Sequence, residues 1–135
     1  MSNTAIIFGV FDLTHWGHYH KFAEIKRKYD KLTVIVVGDT IAESYKRIPY
    51  LHQLERLANV YACRWVDYCC LAFQKSEYSH LAKDVDVIIY GEDWTEDEYM
   101  KLMEFPEEFR EKLVQMPRIK GISTSEIIER IQERA

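Results

Sequence analysis

Apolar residues cluster along this chain in two different ways. Thr4 to Phe8, Leu32 to Val37 and Val85 to Tyr90 are short runs rich in β-branched side chains, without regular alternation of apolar and polar positions. Such runs suit strands buried on both faces, as in a parallel sheet. Asp67 to Ala72 is a weaker fourth candidate and Leu113 to Met116 a fifth. Between them the apolar positions recur at helical spacing. Tyr19, Phe22, Ala23 and Ile25 fit one helix face, and Leu54, Leu57, Ala58 and Tyr61 fit another. Strands alternating with helices predict an α/β fold, a doubly wound, Rossmann-like parallel sheet of five strands with helices on both faces. No repeat, linker or low-complexity tract divides the chain, so residues 1–135 read as one domain.

Two stretches break the pattern. Asp39 to Leu51, with Lys46, Arg47 and Pro49, reads as irregular. Glu92 to Arg110 is acidic and aromatic and reads as a solvated helix pair around Pro106. A clear helix ends the chain. Ser123 and Glu126 have the spacing of a capping box, Ile127, Ile128 and Ile131 supply an apolar face, and Gly121 just before can adopt positive φ.

Composition narrows the function classes. The 135 residues are 47% hydrophobic and 30% charged, an ordinary soluble balance. A net charge of −4 gives no electrostatic footprint for nucleic acid, so an anionic substrate needs a local basic cluster. Cys63, Cys69 and Cys70 contain no Cys-x-x-Cys pair, which argues against a disulfide frame or a zinc site and for buried reduced thiols. The first residues lack the basic segment and apolar run of a secretory leader, and no apolar stretch reaches the ~20 residues that span a bilayer. A cytoplasmic protein without a membrane partner is expected.

The chemistry concentrates where the first run ends, in "GVFDLTHWGHYH", residues 9–20. Ligands of open α/β sheets bind beyond the carboxyl ends of strands. Gly9 removes a side chain there, and Gly17 leaves space beside the chain. His15 and His18 are three apart and share one face of a helix start. Backbone N–H groups at a helix N-terminus favour anions, and two imidazole donors over them make a phosphate-binding wall. His20 lies off that face. A metal site is the competing reading, but the pair supplies two ligands and Asp12 would be a strained third.

These residues also carry a resemblance. "GVFDLTHWGHYH" resembles the Gly-x-Phe-Asp-x-x-His-x-Gly-His signature of the cytidylyltransferase group of nucleotidyltransferases. "YGEDW", residues 90–94, resembles that group's Gly-Asp-Asp-Trp, and "RIKGISTSEI", residues 118–127, resembles its Arg-Thr-Glu-Gly-Ile-Ser-Thr segment. The likeness runs over nearly the whole chain. It implies that His15 and His18 contact a triphosphate and stabilise the transition state at its α-phosphorus. It implies that Gly9, Val10, Phe11, Asp12 and Gly17 line the nucleotide, as do Gly91, Asp93 and Trp94. Arg118, with Gly121, Ile122, Ser123 and Thr124, would hold phosphates, Lys46 would reach them from the loop after the second strand, and Arg56 matches a helix arginine near the site.

The implied reaction moves CMP from CTP to a small phosphorylated alcohol, glycerol 3-phosphate-like, by direct in-line attack. Mg²⁺ would ride on the triphosphate, with no metal site built from protein, and the resemblance implies a homodimer. Three departures bear on specificity: Ile119 and Lys120 replace threonine and glutamate, Glu92 replaces aspartate, and Lys46-Arg47 stand where several lysines are common. Two alternatives follow. One is adenylyl transfer from ATP by the same superfamily's chemistry. The other is a non-catalytic nucleotide-binding module, which the intact histidine pair and Arg118 argue against.

Overall fold

The structure is a computed structural model that describes residues 3–45 and 47–135. The five expected strands form as β1 (Thr4–Gly9), β2 (Lys31–Val37), β3 (Tyr68–Ala72), β4 (Val87–Gly91) and β5 (Leu113–Met116). They make one parallel sheet in the order β3-β2-β1-β4-β5. The chain winds outward from β1 to β3, then returns to the other side of β1 for β4 and β5. The switch point therefore lies between β1 and β4, where a ligand crevice is expected. Gly9 closes β1 and Gly91 closes β4, so a side-chain-free position ends each of the two strands that flank it.

Helices α1 (Trp16–Lys28), α2 (Asp39–Tyr45), α3 (Gln53–Tyr61), α4 (Tyr78–Ala82), α5 (Glu96–Met103) and α6 (Thr124–Arg134) complete the fold. Ala5, Ile7, Val34 and Val36 pack on one side of the sheet against Phe22 and Ile25 of α1 and Val60 of α3. Ile6, Ile35 and Ile88 pack on the other against Ile41 of α2, Tyr78 of α4 and Tyr99 and Met103 of α5. With both faces covered, most positions of the central strands β2, β1 and β4 gain from being apolar, by about 1.5–3 kcal/mol for a fully buried large side chain. That is why the runs do not alternate. No helix among the described residues is long and apolar enough to cross a membrane.

The structure corrects the sequence reading in five places. Asp39–Tyr45, expected to be irregular, is α2, because Ile41 and Ala42 bury against the sheet. The acidic stretch after Glu92 does hold α5 and a 3₁₀ turn at Glu107–Lys112, with Pro106 between, but it is not a solvated pair. Tyr99, Met100, Met103, Phe105 and Phe109 are buried, and the charges occupy only the outer face. On α3 the expected apolar stripe is wrong: Leu54 and Tyr61 are 60% and 78% exposed, and the inward residues are Arg56 and Val60. An inward arginine whose charge is met by partners cannot be recognised from hydropathy. Only Cys63 of the three free thiols is fully buried, since Cys69 and Cys70 lie on the edge strand β3. Lastly, α6 keeps the Ser123 half of its cap but not the return bond from Glu126, and no residue of that helix is fully buried.

Candidate active site

His15 is the N-cap of α1. Its Nδ1 accepts from the Gly17 N–H at 3.1 Å, while His18 Nδ1 accepts from the His15 N–H at 3.1 Å. Two imidazoles thus fill the places of serine and glutamate in a capping box. With Nδ1 accepting, each neutral ring carries its proton on Nε2, as the bonding pattern requires. The rings stack with centroids 3.8 Å apart and planes at 26°. Phe11 meets His18 edge-on at 5.4 Å and is itself backed by Phe22. Phe11 sits at φ 53°, a left-handed conformation that costs of order 1–3 kcal/mol outside glycine. Gly9 makes it possible, since a Cβ there would lie 2.7 Å from the Phe11 ring.

Burial holds His15 below the ordinary histidine value of 6.5. The sign follows from linkage: the unfolded chain takes up a proton near 6.5 that native His15 resists, so stability is complete above that pH and falls below it. A His15→Asn variant keeps a good cap and removes this group. Its unfolding free energy, measured in urea between pH 7 and pH 5, is expected to fall less steeply with acid than that of the wild type.

Gly17 brings the start of α1 against the chain that leads into α6. A Cβ at Gly17 would lie 2.6 Å from Ile122 Cγ2 and 2.9 Å from His15 Cε1. Gly17→Ala must therefore push the two segments apart. The expected cost is about 1–3 kcal/mol, the range for overpacking, with turnover lowered at least tenfold, read by denaturation and steady-state assay.

Opposite the histidines, Ser123 caps α6 by accepting from the Glu126 N–H at 3.1 Å. The Thr124 hydroxyl donates to the Asp12 carbonyl at 3.0 Å, tying α6 to the loop after β1. Gly121, at φ 87°, makes the turn between β5 and α6. The Arg118 N–H donates to Glu92 Oε1 at 3.0 Å, and its guanidinium pairs with Asp93. The segments after β4 and β5 are thereby joined.

Two residues hold this frame from below. Asp12 is buried and accepts from Arg47 at 2.7 Å and from the amides of Leu13, Tyr50 and Leu51 at 2.9–3.1 Å. Burial works against its charge, but the Leu51 and Tyr50 amides with Arg47 outweigh that and hold the carboxyl below the usual aspartate value. Arg56 is fully buried. It donates to the carbonyls of Leu51, Val10 and Val37 at 2.7–3.1 Å and to Asp39 at 2.6 Å.

Two adjoining cavities open at the switch point. The first, about 330 Å³, is walled by His15, Gly17, His18, Gly91, Asp93, Arg118, Ile122, Ser123 and Thr124. The second, about 310 Å³, is walled by Gly9, Val10, Phe11, Asp12, His18, Gly91, Asp93, Trp94 and Thr124. Residues named from three separated stretches of sequence thus share one crevice. Arg56 and Gly121 line neither cavity; the first supports the floor and the second shapes a turn. Lys46 lies outside the described residues.

The sequence reading did not name Lys21, which lines both cavities, and named Arg47 only as part of a short basic loop, although it lines the second cavity and stacks 4.9 Å from the centroid of the Tyr50 ring. Glu92 was noted only as a departure, yet it lines the first. A signal for Lys21 was available. It follows His18 by three residues, so the two side chains are neighbours on one face of α1.

The family described as cytidylyltransferase-like matches residues 6–130. Glycerol-3-phosphate cytidylyltransferase of Bacillus subtilis (strain 168) is 29% identical over 128 residues, covering 93% of this chain and 95% of that protein. FAD synthase of Thermoplasma volcanium is 33% identical over 91 residues, covering 67% of this chain and 64% of that protein. Among solved structures, the lipopolysaccharide core biosynthesis protein from Thermoplasma volcanium GSS1 matches with a TM-score of 0.71 at 25% identity, over 90% of this chain and 100% of that one.

Proposed function

The chain belongs to the cytidylyltransferase-like family and is a nucleotidyltransferase, and from that premise we propose that it moves CMP from CTP to a small phosphorylated alcohol of the glycerol 3-phosphate kind. The observation that carries the reading is the stacked pair of His15 and His18, set across one cavity from Ser123 and Thr124 at the start of α6. Two imidazole donors and the free amides of a helix N-terminus then converge on one anion-sized space.

An oxygen of the acceptor phosphate attacks the α-phosphorus in line, the bond from that phosphorus to the bridging oxygen breaks, and pyrophosphate leaves. A phosphate monoester is already mostly ionised at neutral pH, its second pKa being about 6, so no general base is needed. The protein's tasks are to position two anions and to spread the charge that gathers at the five-coordinate phosphorus. His15, His18 and Arg118 serve these tasks, and the sequence likeness adds Lys46 to them. The described residues include no group of three or more His, Cys, Asp or Glu spaced to hold a metal ion. A magnesium ion, which the sequence likeness implies, would be carried mainly by phosphate oxygens and water. Its chemistry there is charge screening on the triphosphate.

The reach of the glycerol-3-phosphate cytidylyltransferase likeness, over 93% of the chain, supports CTP and a phosphorylated alcohol. The second reading, adenylyl transfer from ATP, is favoured by the FAD synthase likeness and by Ile119, which lines the first cavity, with Lys120 next to it in the chain. A matrix of CTP, ATP, UTP and GTP against phosphorylated alcohols, scored by pyrophosphate release, separates them. Release with CTP and an acceptor is the expected result. Release with ATP alone would replace CTP by ATP, and nucleotide binding without turnover would favour a binding module. Direct transfer also predicts no labelled nucleotidyl-protein in a rapid quench.

A further inference from the structure

We propose that Lys21 is a phosphate-binding cation of this site, seated on the wall that the two cavities share, where its ammonium holds the acceptor phosphate against the α-phosphate of the nucleotide. The proposal rests on the transfer reaction above.

Lys21 stands one turn beyond His18 on the same face of α1 and lines both cavities. Its side chain is partly buried, and no hydrogen bond or ion pair joins its ammonium to another described residue. Glu92 and Asp93 are the carboxylates near it, but both are already bonded to Arg118. Burial and the Arg118 charge pull Lys21 below the ordinary lysine value, and Asp93 with Glu92 push back only in part. A half-desolvated cation without a bonded counter-charge suits a site that an anion completes. The reaction brings two anions to that spot. One positive charge between them attracts both, the more strongly as the bound substrates displace water. A lysine suits this better than arginine does, being a compact point charge that serves two phosphates at once.

The test compares wild type, Lys21→Met and Lys21→Arg. Turnover is read by pyrophosphate release over the nucleotide and acceptor matrix, and affinity for inorganic tripolyphosphate by calorimetry. Lys21→Met removes a charge from a partly apolar setting and is expected to fold, as circular dichroism will show; Lys21→Gln replaces it if it does not. The expected result is a loss of about 100-fold in kcat/KM for the acceptor, the scale of deleting one transition-state donor. Tripolyphosphate affinity should fall at least tenfold, and Lys21→Arg should recover part of each loss. Losses below tenfold in both measurements, or losses that Lys21→Arg leaves unrecovered, overturn the proposal. If wild type releases no pyrophosphate from any pair, the transfer reading fails, and tripolyphosphate affinity alone decides Lys21: a tenfold loss keeps it as a phosphate site, and a smaller one removes it.

Discussion

His15→Ala and His18→Ala are each expected to lower nucleotidyl turnover by about 10²- to 10³-fold, the effect of deleting one oriented donor to a charge that develops in the transition state. Each Nδ1 accepts a backbone N–H at 3.1 Å, which fixes the ring and assigns the proton to Nε2. A ring held in this way reaches the transition state without reorganising, and that is where the rate is gained. The two substitutions differ in their structural cost. Loss of the His15 cap also weakens α1, by about 0.5–2 kcal/mol on the scale of N-cap deletions. His15→Asn keeps a cap oxygen and loses the Nε2 donor, so it should lose turnover while melting close to wild type. Because the rings stack 3.8 Å apart, the double alanine variant should cost less than the product of the single effects. Near-wild-type turnover in a folded single variant would remove the histidines from the chemistry. Steady-state pyrophosphate release with a melting curve for each protein makes the measurement.

Arg56→Met is expected to lower the unfolding free energy by about 3–5 kcal/mol, the range for removing one partner of a buried ion pair. Arg56 is wholly inaccessible, and its donors meet three carbonyls and the Asp39 carboxylate. Those acceptors come from the loop after β1, the end of β2, the start of α2 and the turn before α3. Methionine fills a similar volume but leaves all four acceptors without their donor. The loop of Gly9 to Asp12 is fixed partly through the Val10 carbonyl, so nucleotide affinity should weaken together with stability. Urea denaturation gives the first quantity. A loss under 1 kcal/mol, roughly that of a single net hydrogen bond, would show that the network is replaceable.

Much of the fold was legible because burial writes itself into hydropathy. The three central strands were found from runs that do not alternate, since helices cover both faces of the sheet there, and the two edge strands β3 and β5 were the weaker candidates. Failures came where polar groups behave as core. Arg56 occupies the inward stripe of α3, so the expected face of Leu54 and Tyr61 points outward. In the stretch after Glu92, acidic side chains on the outer face masked a row of buried aromatics, Tyr99, Phe105 and Phe109. The site was legible where residue type declares chemistry, as with two histidines three apart behind a strand. Lys21 was missed because a lysine on a helix usually lies in solvent, and only its neighbours take it out of water.

By itself, then, the sequence determined the five strands and the helices α1, α3, α5 and α6, though neither α2 nor α4, the placing of His15 and His18 at a strand's end, and the three stretches that carry the family likeness. Local spacing is enough for these, because helix and strand periods and cap positions are set by the nearest few residues. The tertiary structure alone decided what the separated stretches do together. The order β3-β2-β1-β4-β5 sets Gly9 beside Gly91 across the crevice, and a glycine without a Cβ lets α1 approach Ile122. It also decided that Arg56 is a buried strut and that Lys21 faces two cavities. Each of these depends on partners far away in the chain, and the burial of a charge is set by the groups that surround it in space.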